Sequence, residues 1–302
     1  VWCKYLCPVH GVIALLARLA PFHFKVDEDA WRRSYKEGEH GHRVVPINCA
    51  PLLPLRNMKG AAACHMCGRC SGHRDAIALT WRSPASEVVD LGDKQASAWD
   101  TALILYGLLG IAIGAFHWTG SPWFIDLKMF FATWLVDHDI TWPLATNAPW
   151  FLFTHYPEQN DVFSWLDGSM VIGYIVATGI VYGTALLALL MVGTRMLGRF
   201  SWVRLHHFAQ GLIPIAGTGV FLGLSATTLS LLRAEHVPLW WASDVRIGIL
   251  VIANVWSAWL AWLVTRRYST RLFQRGLAMV WFMAALAVVD SAWWLMFWGW
   301  TR

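Results

Sequence analysis

The run Cys64-His65-Met66-Cys67-Gly68-Arg69-Cys70 sets three thiols at C-x2-C-x2-C spacing, and Cys3 and Cys7 form a C-x3-C pair followed by Pro8. Thiolates at the first spacing can wrap three corners of an iron–sulfur cube, with Gly68 relieving the tight turn and backbone N–H groups directed at the sulfides. A bacterial ferredoxin run would add a fourth cysteine after three more residues, then proline; here those positions are Arg74 and Asp75. The missing ligand must come from elsewhere. Cys49, within "PINCAPLLP", is the first candidate and Cys7 the second. Cys3 and Cys7 supply two ligands toward a second cluster and need partners. Zinc is the rival metal, but its sites more often use two separated C-x2-C knuckles, or cysteines with distant histidines. The spacing therefore favours one [4Fe-4S] cluster on Cys64, Cys67, Cys70 and Cys49, with room for a second on Cys3 and Cys7. His65 and His73 fit the cluster's surroundings better than its ligand set.

All six cysteines lie in residues 1–99, a polar stretch rich in Pro and Gly. Its residues 9–20, "VHGVIALLARLA", predict a short helix, too short to span a bilayer. The segment "SPASEVVDLGDKQASAWD" predicts a linker with a short strand or turn that closes this domain. The remainder, 100–302, is of another kind. The chain is 57% hydrophobic and 14% charged, with 21 tryptophans, and its apolar residues gather after residue 100. Five stretches are long enough to cross a membrane, near 101–119, 169–193, 207–232, 246–265 and 276–300. Gly173, Gly179, Gly183, Gly217, Gly219 and Gly223 allow close helix approach within such a bundle. The loop 120–168 between the first two spans contains "WFIDLKMFFATWLV", which predicts an amphipathic interfacial helix. The fold class expected is mainly α: a polytopic helix bundle of about five spans carrying a small ferredoxin-like iron–sulfur domain.

Charge sets the expected orientation. Residues 1–99 hold 13 Lys and Arg, whereas 119–168 holds only Lys128 against six acids. The links after the second and fourth spans carry Arg195, Arg199 and Arg204, and Arg266, Arg267, Arg271 and Arg275. Cytoplasmic loops are enriched in such residues, so the cysteine domain is expected in the reducing cytoplasm and the C-terminus outside. The basic residues flank spans rather than forming a reading face, which argues against nucleic acid.

Together, "VWCKYLCPVHG", "NCAPLLPLRNMKGAAACHMCGRCSGHR", "GAFHW", "ATWLVDHDITWPL", "THYPEQNDVFSWLDG" and "HHFAQGLIPIAGTGVFLGLS" resemble the membrane-bound polyferredoxins with C-x3-C-P motifs. That family includes the membrane ferredoxins of nitrate and nitrous-oxide respiration. The nearer likeness is to the ferredoxin-like subunit of bacterial ferrous-iron uptake systems, which work with a periplasmic cupredoxin and an iron permease. The resemblance implies an inner-membrane electron carrier rather than a stand-alone enzyme, passing electrons from periplasmic ferrous-iron oxidation to a cytoplasmic acceptor. Members carry further helices and another C-x3-C-P upstream. With Val1 in place of an initiator methionine, the chain is therefore expected to be an N-terminally truncated fragment. Two alternatives stay open: a quinol- or ferredoxin-coupled respiratory subunit, and a non-redox membrane protein with a structural zinc domain.

The remaining candidates are weaker. His117 and His206/His207 lie at opposite ends of their spans, so they cannot share one haem, and haem is not expected. In the outer loop, Asp137-His138-Asp139 and His155, Glu158 and Asp161 combine imidazole with carboxylate, a donor set for a ferrous or cupric ion. Asp290 falls midway along the fifth span beside Ser291, with Asn254 on the fourth, and an ionisable group at that depth often marks an ion or proton path.

Overall fold

The computed structural model describes residues 8–37, 47–49, 52–62, 64, 66–149, 151–159 and 161–300. Cys3, Cys7 and His65 lie outside the described residues. The chain resolves into two compact units, neither of which is one stretch of sequence. The first comprises Val1–Ile104, Leu190–Gly217 and Val251–Phe282; the second comprises Leu105–Leu189, Thr218–Leu250 and Met283–Arg302.

In the first unit, α1 (Pro8–Ala17) opens on Pro8, whose fixed φ and missing N–H suit a helix start. Strand β1 (Phe22–Val26) pairs antiparallel with β2 (Ile77–Trp81), with Phe22 opposite Trp81 and Val26 opposite Ile77. Helix α2 (Glu28–Glu37) begins where the Asp27 carboxylate accepts from the N–H groups of Asp29 and Ala30. Those two bonds hold the Asp27 carboxyl below its usual range. Hairpin and helix enclose a small core of Phe24, Trp31, Ala76, Ile77 and the Cys70 side chain.

The segment expected as a linker with a strand or turn is helical instead. Glu87–Leu91 winds as a wide π-type turn and Gly92–Gln95 as a single α-turn. The reason is Glu87. Its side chain is fully buried, paired with Arg82 and accepting from the N–H groups of Ala61 and Ala62. Arg82 in turn donates to the carbonyls of Ala20, Ala17 and Arg18 at the end of α1. These bonds anchor the coiled segment at residue 87 from the inside. His207 then fixes the segment from its far side: Nε2 donates to the Val88 carbonyl at 2.8 Å, and Nδ1 accepts from the Tyr268 hydroxyl at 2.7 Å.

Among the described residues, five helices are long and apolar enough to cross a membrane: α3 (Ala98–His117), α5 (Trp165–Met196), α6 (Trp202–Ala234), α7 (Ala242–Tyr268) and α8 (Leu272–Gly299). Each starts three to five residues before the apolar run read from the sequence, and polar side chains cap the starts of two of them. Ser97 and Asp100 bond each other's backbone N–H to start α3, and Ser164 and Asp167 do the same for α5. Asp100 also pairs with Arg18, the residue after α1, at 3.0 Å.

In the second unit, a Cβ on Gly110 of α3 would stand 2.7 Å from the Gly179 carbonyl of α5, so these backbones pack directly. Gly183, Gly219 and Gly223 lie against the rings of Tyr106, Trp293 and Phe116; in the first unit Gly217 lies against Leu16. Gly173 faces open space and does not share this role.

The outer-loop helix α4 (Pro122–Asp137) is present, capped by Ser121, but it is not amphipathic. Trp123, Ile125, Leu127, Met129, Phe130, Phe131, Trp134 and Val136 are all exposed, and at 100° per residue they surround most of the helix. Beyond it, β3 (His155–Tyr156) pairs antiparallel with β4 (Asp161–Val162).

Glu87→Ala leaves the Arg82 guanidinium buried without its counter-charge. It should lower the unfolding free energy of the detergent-solubilised chain by about 3–5 kcal/mol. Gly60→Ala should act in the same direction, because its Cβ would stand 2.4 Å from the Glu87 carboxylate. Thermal unfolding followed by tryptophan fluorescence measures both, and an unshifted Glu87→Ala transition would contradict this role.

Candidate metal centre

The C-x2-C-x2-C loop follows directly on the N–H groups held by Glu87. The Cys64 N–H donates to the Ala61 carbonyl, which starts a turn. Met66 and Gly68 adopt positive φ, 52° and 78°. This winding swings the Met66 N–H to 3.3 Å from Cys64 Sγ, an amide directed at sulfur of the kind the spacing predicts. Gly68 has nothing within 4 Å of its missing Cβ, so left-handed backbone rather than space requires glycine there. The Ser71 N–H returns to the Gly68 carbonyl and the Gly72 N–H to Ile77, closing the loop onto the hairpin.

Cys49, Cys64, Cys67 and Cys70 all line one hollow, whose other walls are Phe24, Ile47, Leu53, Leu55 and Met58. Cys70 is buried, Cys49 and Cys64 are half-buried and Cys67 is exposed. Burial, followed by the effect of the neighbouring cysteines, pushes the Cys64 and Cys70 thiols above their usual range. The hollow itself holds about 20 Å³, close to the room one water needs. A larger group requires the cysteine loops to part, and Cys67 at the surface is the thiol with freedom to move outward.

The donor set is soft and suits iron–sulfur or zinc. Among the described residues no three His, Cys, Asp or Glu side chains converge closely enough for one ion. Tetrahedral zinc with Zn–S bonds of about 2.3 Å would need sulfurs roughly 3.8 Å apart. A cube that gives each thiolate its own iron accepts wider separation. Four thiols line the hollow, a soft donor set for either group, while a hollow of about 20 Å³ does not as it stands admit a [4Fe-4S] cube.

Arg74, at the place of a fourth ferredoxin cysteine, has another occupation. Its guanidinium lies over the rings of Tyr35 (4.5 Å) and Trp31 (5.5 Å) and donates to Ser34 Oγ. His73 packs edge-on against Trp31, with its pKa lowered by burial and by Arg74. Sequence reasoning missed the supports of this site, Arg82 and Glu87. Both look like ordinary charged residues of a polar stretch, and no local pattern marks them as buried.

Among the described residues no three of the other candidates gather as an ion site. His138 stacks on Trp134, and its Nδ1 lies 2.8 Å from the Trp134 carbonyl. Asp161 accepts from the Thr154 hydroxyl, and the side chain of His155 lies outside the described residues. Asp290 is half-buried within α8. His117 is buried, bonded to the Ala292 backbone and packed edge-on against Trp300. His206 Nδ1 meets the Thr101 hydroxyl at 2.9 Å, and both ring nitrogens of His207 are engaged.

In the metal-free protein, alkylation of Cys64 and Cys70 should follow a pH midpoint above the ordinary thiol value of about 8.5, since only the thiolate reacts. Below that midpoint each lower pH unit should slow them about tenfold. Peptide mass spectrometry after timed iodoacetamide exposure reads this, and midpoints below pH 8 would contradict it. No family profile, curated protein or solved structure matches the chain.

Proposed function

We propose that the chain is an integral-membrane iron–sulfur electron-transfer subunit. The observation that carries this reading is the convergence of Cys49, Cys64, Cys67 and Cys70 on one hollow, beside five helices able to cross a bilayer. A [4Fe-4S] group supplies one-electron redox chemistry there. The chain contributes the thiolates, the Met66 N–H directed at Cys64 sulfur, and an apolar wall of Phe24, Ile47 and Met58 that limits water; such contacts tune potential. Cys3 and Cys7 serve a second cluster.

The arginines of the α5–α6 and α7–α8 links support a cytoplasmic position for the cysteine domain in a bacterial inner membrane. The resemblance to the ferrous-iron uptake subunits supports the finer assignment: electrons released when a periplasmic cupredoxin oxidises ferrous iron pass inward as the permease imports iron.

Anaerobically purified protein should be brown and contain iron and acid-labile sulfide. Cys67→Ser and Cys49→Ser should each abolish the same EPR signal while the tryptophan-rich bundle keeps its unfolding transition. Colourless protein holding zinc and no sulfide overturns the redox reading. Loss on Cys67→Ser but not Cys49→Ser moves the fourth ligand to Cys7. A strain that lacks the subunit yet takes up ferrous iron at the full rate overturns the iron-uptake assignment alone.

A further inference from the structure

In the first unit, where α5 ends and α8 begins, a second hollow encloses about 760 Å³. Arg195, Arg199 and Arg271 line it together with Phe200, Phe273 and Leu277. The three arginines are exposed, and among the described residues none has a carboxylate within salt-bridge distance, whereas Arg267 of the same link is paired with Asp90 at 2.6 Å. The enrichment of arginine in these links follows from the charge rule for membrane proteins. Their position around one hollow adds to that rule, because an anion in it would meet all three charges.

Two features say which anion. The hollow sits at the ends of two helices long enough to cross a membrane, where a bilayer spanned by them would present its headgroups. Beside the guanidinium groups, the first turn of α8 presents Phe273 at 77% exposure, and Leu277 lies one turn further along the same face. A soluble anion would leave those side chains in water, while acyl chains would cover them. One phosphate would occupy only a small part of the space, whereas a headgroup with two phosphates would spread its charge across all three arginines. Basic pockets between membrane helices on the cytoplasmic side suit headgroups of higher charge.

We propose that this hollow binds an anionic phospholipid with two headgroup phosphates, held by Arg195, Arg199 and Arg271, with its acyl chains along Phe273 and Leu277. The site is independent of the cysteine domain.

The test uses the full chain, delipidated in neutral detergent, with native mass spectrometry reading the retention of added tetraoleoyl cardiolipin, dioleoyl phosphatidylglycerol or dioleoyl phosphatidylcholine. One cardiolipin should be retained in preference to the other two. Arg271→Gln and Arg195→Gln should each weaken it about fivefold, the worth of one arginine at an anionic lipid surface. Arg266→Gln, an exposed arginine of the same link that does not line the hollow, should change it less than about twofold. Leu277→Trp fills the apolar side without altering charge and should also weaken cardiolipin, with unfolding temperature confirming that each variant is folded. Equal losses for Arg266→Gln and Arg271→Gln would reduce the effect to diffuse charge and overturn the site. Retention of phosphatidylcholine as strong as that of cardiolipin would overturn it too, as would capture of an acidic protein in place of lipid.

Discussion

The cysteine domain depends on one buried ion pair. Arg82 and Glu87 are withdrawn from water almost completely, which is costly unless nearly every polar atom finds a partner. Here they do: the guanidinium reaches three carbonyls at the end of α1 besides the carboxylate, and the carboxylate takes two N–H groups at the entry to the cysteine loop. Segments far apart in sequence are thereby locked at one point. The direction in which Cys64 leaves that point follows from the bonds made by Ala61 and Ala62.

Around this pair, polar contacts join the segments of the first unit, whose helical part buries Leu205, Phe208, Leu212, Val264 and Phe282 completely. Arg18 joins α1 to the start of α3, His207 holds the Val88 carbonyl, and Arg267 meets both the Val89 carbonyl and Asp90. Close packing reinforces them: a Cβ at Gly92 would stand 2.5 Å from the His207 ring. His206 and His207 likewise join segments distant in the chain. The apolar core of the cysteine domain is small and includes Cys70 itself. Cys70 therefore packs the fold as well as lining the hollow.

The second unit follows different rules. Aromatic rings and glycines meet at close range: Gly219 and His117 both contact Trp293, which in turn stacks on Phe297. Lipid offers no hydrophobic drive to bring helices together, so fit of this kind has to hold them. Apolar side chains that surround α4 suit the same surroundings better than a boundary with polar and apolar sides.

The five long helices were legible in the sequence because an apolar run of membrane length is a local property, and so was the thiol spacing that groups Cys64, Cys67 and Cys70. The need for a left-handed residue at Gly68 was legible for the same reason. Tertiary structure decided the rest. It brought Cys49 to the other three thiols, turned Arg74 onto Tyr35 and Trp31, and set Gly173 apart from the packed glycines. It coiled 87–95 where a linker with a strand or turn was expected. Those outcomes rest on partners distant in the chain, Ala61 for Glu87 and His207 for Val88, and spacing alone carries no record of which buried group a charge will meet.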